Sequence, residues 1–257
     1  MNKIMRAYSA LKKEEKIMIR RGLLVAVSLC VILGAMAWKI GTMRGQAASA
    51  AEISDTTGSA AQGQGQTYAA IAGFRSAKFG ETEDAVRAAI STDFGKSGDD
   101  VKVVENPVER TKALIVEVSD LVPETGKARV TYVLGYKSKA LIQVNVLWGT
   151  PIVPDTTAVG IGRTGLVLKS YFARQNFDPK FTIRDRKLKN GVLVFQSRDA
   201  QGHLVRLVYI QAPIGKPKSA SADEAAAAEK KSIYLLNLSY VANPAAPDIL
   251  TIKEGDF

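Results

Sequence analysis

The sequence predicts an α+β protein: one N-terminal transmembrane helix, then two tandem modules, each of one helix and an antiparallel sheet of about four strands. Three observations predict it. Gly22 to Trp38 holds seventeen residues without a charge. Beyond residue 74 the chain alternates apolar and polar side chains with the period of two that strands require. And one order of elements, a helix, several strands and a proline-marked linker, occurs twice, as a diverged duplication would leave it.

The apolar run GLLVAVSLCVILGAMAW covers roughly 25 Å as a helix, the short end of what a bilayer core of about 30 Å requires, so Arg20, Arg21 and Lys39 snorkel to the headgroups. The formal charge is +10, and residues 1–21 contribute seven basic and two acidic side chains to it. Half the net charge therefore precedes the span. From Gly45 onward 26 basic residues face 23 acidic ones, which excludes a track for nucleic acid and leaves an ordinary solvated surface. The positive-inside rule makes 1–21 a basic cytoplasmic tail and 22–38 a signal-anchor, with the C-terminal part in the periplasm of a bacterial inner-membrane, single-pass protein. A cleaved signal peptide is the rival, ending at Ala35 and Ala37 or at Ala48 and Ala50. The long basic start and the distance of Ala50 from the apolar core favour the retained anchor. Cys30, the only cysteine, lies inside the span behind Leu29, where a lipobox needs a small residue; the exported part has no disulfide.

Residues 39–73 read as a flexible tether, because GQAASAAEISDTTGSAAQGQGQTYAA is too poor in branched apolar side chains to offset the entropy of ordering. The first module, 74–150, opens on a helix: Thr82 is its N-cap, Glu83 and Asp84 fill its first turn, Val86, Ala89, Ile90 and Phe94 recur at helical spacing, and Gly95 ends it. Strands follow at Val101 to Glu105, Ala113 to Leu121, Ala128 to Leu134 and Leu141 to Trp148. The last has Ile142, Val144, Val146 and Trp148 on one face, Gln143 and Asn145 on the other. The second module, 157–243, has a helix from about Arg163 to Gln175 and strands at Phe181 to Asp185, Val192 to Arg198, Leu204 to Ala212 and Ser232 to Val241. Val144-Asn145-Val146 corresponds to Leu236-Asn237-Leu238. The second copy carries an insertion at 215–231, and 244–257 is a C-terminal tail.

No stretch names a reaction. Gly160-Ile-Gly162-Arg-Thr-Gly165 satisfies a dinucleotide fingerprint in letters, but a proline-broken stretch precedes it where a buried parallel strand is required, so the glycines are expected to form a flexible lead into the second helix. His203 is the only histidine, which excludes multi-histidine metal sites and reads as a turn residue; a Ser-His-Asp triad lacks a nucleophile elbow. Glu105, Glu109, Asp120 and Asp185 sit at strand ends, where a two-carboxylate hydrolase stays formally open. Catalytic, cofactor and metal residues are therefore assigned to none.

Phe79-Gly-Glu-Thr-Glu-Asp-Ala-Val86, leading through a capped helix into an antiparallel sheet, resembles the start of the SmpA/OmlA family of small envelope modules, the fold of a lipoprotein subunit of the outer-membrane barrel-assembly machine. The resemblance implies a small protein-binding module in the envelope and no particular functional residue. The function expected is thus a non-catalytic binding or scaffolding subunit of an envelope assembly. An anchored hydrolase acting on peptidoglycan or polysaccharide, or an inner-membrane component of a secretion or pilus system, are the alternatives. The partners expected are other envelope proteins and the membrane through 22–38, without nucleic acid; homo-oligomers stay open. A small module with one helix leaves a strand edge unpaired. Leu141 to Trp148 and Ile233 to Val241 are the edges expected to capture a partner by strand addition, through Ile142, Val144, Asn145, Val146, Trp148, Tyr234, Leu236, Asn237, Leu238 and Tyr240. The competing reading pairs those two edges with each other.

Overall fold

The structure is a computed structural model that describes residues 67–213 and 232–251. The basic tail, the expected span, most of the tether, the insertion at 215–231 and residues 252–257 lie outside the described residues. Among the described residues no helix is long and apolar enough to cross a membrane.

The folded unit begins at Tyr68, earlier than the tether's expected end at residue 73. The reason is local. Ile71 and Phe74 are buried, and a two-stranded hairpin, β1 (Gly73–Phe74) and β2 (Ala77–Lys78), precedes the first helix. Helix α1 (Glu83–Phe94) then starts and stops where its caps dictate. Thr82 Oγ1 accepts from Ala85 N–H, and Gly95, with φ 64°, donates its N–H to Ser91 O. Val86, Ala89 and Ile90 form its buried face.

Four antiparallel strands follow: β3 (Lys102–Glu105), β4 (Lys112–Val118), β5 (Ala128–Leu134) and β6 (Leu141–Gly149). Helix α2 (Ala158–Ala173) comes next, and then β7 (Ile183–Leu188), β8 (Gly191–Arg198), β9 (Leu204–Pro213) and β10 (Ser232–Val241). Both halves run helix first and then a meander. They do not keep separate sheets: the order is β3-β4-β5-β6-β10-β9-β8-β7, one antiparallel sheet of eight strands. The expectation of two self-contained sheets is corrected accordingly, and the α+β class stands.

Helix α2 begins five residues earlier than the pattern indicates. Thr157 caps it by accepting from Gly160 N–H at 3.1 Å, so Gly160, Gly162 and Gly165 lie within the helix and not in a lead-in loop. Glycine costs about 1 kcal/mol against alanine in a helix interior. Packing offsets that here: Ile161, Leu168 and Phe172 are buried, and a Cβ on Gly165 would stand 3.6 Å from Leu236. The core lies between the helices and one face of the sheet, where Leu114, Val130, Tyr132, Val146, Trp148, Leu207 and Leu236 meet Ile90 and Phe172. The N-terminal segment also braces the two halves, since Ile71 N–H donates to the Asp199 carboxylate at 2.8 Å and Phe74 packs on Tyr240 with ring centroids 5.6 Å apart.

Candidate functional site

The ten residues expected at partner-binding edges are at the centre of the sheet. β6 and β10 pair antiparallel with each other, Asn145 opposite Ser239 and Asn237 opposite Leu147, and each also pairs on its other side, with β5 and β9. Neither strand has a free edge. Val144, Val146, Trp148, Leu236 and Leu238 are core residues under the helices, Tyr240 packs on Phe74, and Ile142 and Tyr234 are half-buried on the same strands. The physical reason is that two unpaired edges in one chain satisfy each other at high effective concentration. Gly149 is required at this junction: its φ is 120° and a side chain there would collide with Tyr234 O.

Asn145 and Asn237 do point away from the helix-side core, yet both are buried. Asn237 Nδ2 donates to Ser239 Oγ at 2.9 Å, Ser239 Oγ donates to Asn145 Oδ1 at 2.8 Å, and Gln143 Nε2 donates to the same oxygen at 2.9 Å. Asn145 Nδ2 and Asn237 Oδ1 are buried without a partner. A chain of amides across the junction fixes register, because a one-residue slip would drive them into the apolar face.

The free edges are β3 and β7. β7 carries Arg184, Asp185, Arg186 and Lys187, all exposed, and Asp185 takes φ 53°, which breaks the pleat in mid-strand. Charge and a kink are the devices that discourage strand addition. β3 is short and carries Lys102 and Glu105 exposed at its ends, but it has no kink, and Val103 is 47% exposed on it, with Val108 at 77% in the turn that follows.

Asp199, His203, Glu109, Asp120 and Asp185 each have a structural partner. Asp199, buried at the β8–β9 turn, accepts from Ile71, Gln201 and His203 N–H groups and lies 3.0 Å from His203 Nδ1. His203 is therefore not a free turn residue: its ring also packs on Phe79 with centroids 5.1 Å apart. Among the described residues no serine hydroxyl bonds to that imidazole. Glu109 accepts from Asn106 Nδ2, and burial raises its pKa. Asp120 accepts from Gly126 N–H, and Asp185 pairs with Lys169 at 2.6 Å. The sheet order puts Glu105, on β3, and Asp185, on β7, at opposite edges, so these carboxylates do not converge. Gly160, Gly162 and Gly165 lie inside α2 and form no strand-to-helix loop of the kind that cradles phosphate. No group of three or more potential metal ligands occurs among the described residues.

One surface was not anticipated from the pattern. On α2, Val159, Leu166, Val167 and Tyr171 are exposed although the helix already has a buried apolar face. The signal was present in Leu166-Val167-Leu168: three consecutive apolar residues on a helix cannot all face one side.

Comparison of the chain with protein families, with curated proteins and with solved structures found no match.

Proposed function

We propose that this is a membrane-anchored, single-pass protein of the bacterial inner membrane whose periplasmic sheet domain is a binding or scaffolding subunit of an envelope assembly, and that its two halves arose by tandem duplication. The apolar run at 22–38 and the basic residues before it support the anchor. The observation that carries the binding role is the short unpaired strand β3 with Val103 exposed on it, while Glu109, Asp120, Asp185 and Asp199 are each held by a separate partner. Strand addition at β3 supplies backbone hydrogen bonds to an extended segment of the partner, and Val103 and Val108 supply its apolar contact. This reading keeps the SmpA/OmlA resemblance as one to a protein-binding module.

Two arms test it. A phosphatase fused after Phe257 is expected to be active, and the chain from carbonate-washed membranes is expected to begin before Gly22; a start at Trp38 or Ala51 overturns the anchor. For binding, wild type and Val103→Lys are captured from solubilised membranes. Co-purifying envelope proteins are expected to fall about tenfold with the variant, the loss of about 1.4 kcal/mol, at unchanged melting temperature. Equal recovery with both chains would remove β3 from the interface.

A further inference from the structure

The two helices solve the same packing problem with opposite outward faces. α1 turns Asp84, Ser91 and Thr92 to solvent, the ordinary arrangement for a helix lying on a sheet. α2 buries Ile161, Thr164, Gly165, Leu168 and Phe172, and at 100° per residue the opposite side falls on Val159, Arg163, Leu166, Ser170 and Arg174, with Val167 and Tyr171 on its flank. Val159 is 75% exposed, Leu166 64% and Tyr171 54%. Six of the ten large apolar side chains exposed among the described residues fall between Ala158 and Gly191.

Charge is concentrated in the same stretch. Residues 158–191 hold eight Lys or Arg against Asp178 and Asp185, a net +6. The chain from Gly45 onward is only +3, so everything outside this stretch sums to −3. β7 lies beside the helix, since Lys169 Nζ reaches Asp185 and the Arg184 guanidinium lies 6.0 Å from the Phe195 ring that stacks on Phe172. Nor is the position of this surface arbitrary along the chain. Ala69 N–H donates to Asn176 O at 2.7 Å, so the chain coming from the expected span joins the domain just past the C-terminal end of α2.

We propose that the outward face of α2, with the basic strand β7 beside it, docks onto the surface of an anionic phospholipid bilayer. The proposal rests on the reading of residues 22–38 as a membrane anchor. Exposed valine, leucine and tyrosine side chains interleaved with arginines on one helix face are the pattern of an interfacial helix, whose apolar groups enter the headgroup boundary while the cations meet lipid phosphates. On the anchor reading, a flexible link of about 28 residues has a root-mean-square reach of about 26 to 32 Å and holds the domain at roughly millimolar effective concentration. Tethering therefore adds to the occupancy that the surface reaches on its own. A second copy is the poorer occupant: α2 has no acidic residue, and a symmetric contact through it would set Arg163 and Arg174 against like charges.

The test uses the full chain with Cys30→Ser and Ser170→Cys, a nitroxide on Cys at position 170, and reconstitution in bilayers of phosphatidylcholine alone or mixed with phosphatidylglycerol. In the mixed bilayer the label is expected to lose collisions with an aqueous nickel chelate severalfold and to gain them with oxygen. Phosphatidylcholine alone, or Arg163→Glu with Arg174→Glu in the mixed bilayer, is expected to restore the aqueous signal. A label that stays aqueous in both bilayers overturns the proposal, as does dipolar broadening between labels that is independent of lipid charge, the signature of a second copy. Carbonate extraction of the same samples separates this outcome from failure of the anchor. If the chain is extracted, the anchor reading fails, and flotation with phosphatidylglycerol vesicles then tests the surface alone. Flotation that the two glutamate substitutions abolish supports the surface, and no flotation overturns it.

Discussion

Glu83 receives both the cation one helical turn ahead of it and one from the sheet. Its carboxylate accepts from Lys112 Nζ at 2.9 Å and from Arg87 Nη2 at 2.8 Å, and these hydrogen bonds, that to Lys112 foremost, hold its pKa below the ordinary 4.5. The side chain is about a quarter exposed, so solvent discounts the interaction to about 0.5 kcal/mol. Because the folded carboxyl titrates below the unfolded one, the contribution is complete above pH 4.5 and is lost as pH falls through the lower folded value. Urea unfolding of Glu83→Gln should therefore show about 0.5 kcal/mol less stability than wild type at pH 7, a deficit that shrinks as pH falls below 4.5. A deficit that persists in acid would place the contribution in packing, not charge. Asp248 is a second carboxylate that structure holds low. Burial opposes its charge, but hydrogen bonds from Ser138 and Lys137 N–H outweigh that and tie residues 243–251 to the turn between β5 and β6.

Among the elements, β6 and β10 carry the largest consequence. Proline removes a ladder hydrogen bond and is excluded from central strands. Asn237→Pro should cost about 3 kcal/mol or more and lower the melting temperature by about 6 to 12 °C. Proline at Val103, on the free edge, should cost far less. A melting temperature for Asn237→Pro within about 2 °C of wild type, less than 1 kcal/mol, would contradict the central position of β10. The strands themselves were legible. Ala128 to Leu134 and Ser232 to Val241 occur as their alternation indicates, and α1 begins and ends at Thr82 and Gly95 because its caps are local chemistry. What period-two alternation does not encode is which strand lies beside which. Val144 and Leu236 read as the apolar face of an edge strand or of a central one, and only the pairing of the halves decides. α2 was misplaced at its start for a related reason: glycines weigh against a helix locally, whereas the close approach of Gly165 to Leu236 is a tertiary gain. The partnership of Asp199 with Ile71 spans 128 residues and has no local signature.

Across the described domain, joining the halves through β6 and β10 has two effects. It removes the two edges with the longest apolar faces from the surface, and it moves the remaining exposed strands to the ends of an eight-stranded sheet. The ends are unlike. β3 is short, with Val103 exposed between Lys102 and Glu105, whereas β7 is cationic and kinked beside an apolar helix face. The proposed roles follow that difference, protein capture at one end and lipid contact at the other. Both depend on the centre being closed. Hydrogen–deuterium exchange of the full chain in bilayers tests this most directly. The expected result is slowest exchange in 141–149 and 232–241, with 102–105 and 183–188 opening first, as strands at the centre and edges of one sheet must. Exchange in 141–149 and 232–241 as fast as in 102–105 and 183–188 would mean that the two halves do not share a sheet, and would contradict the account.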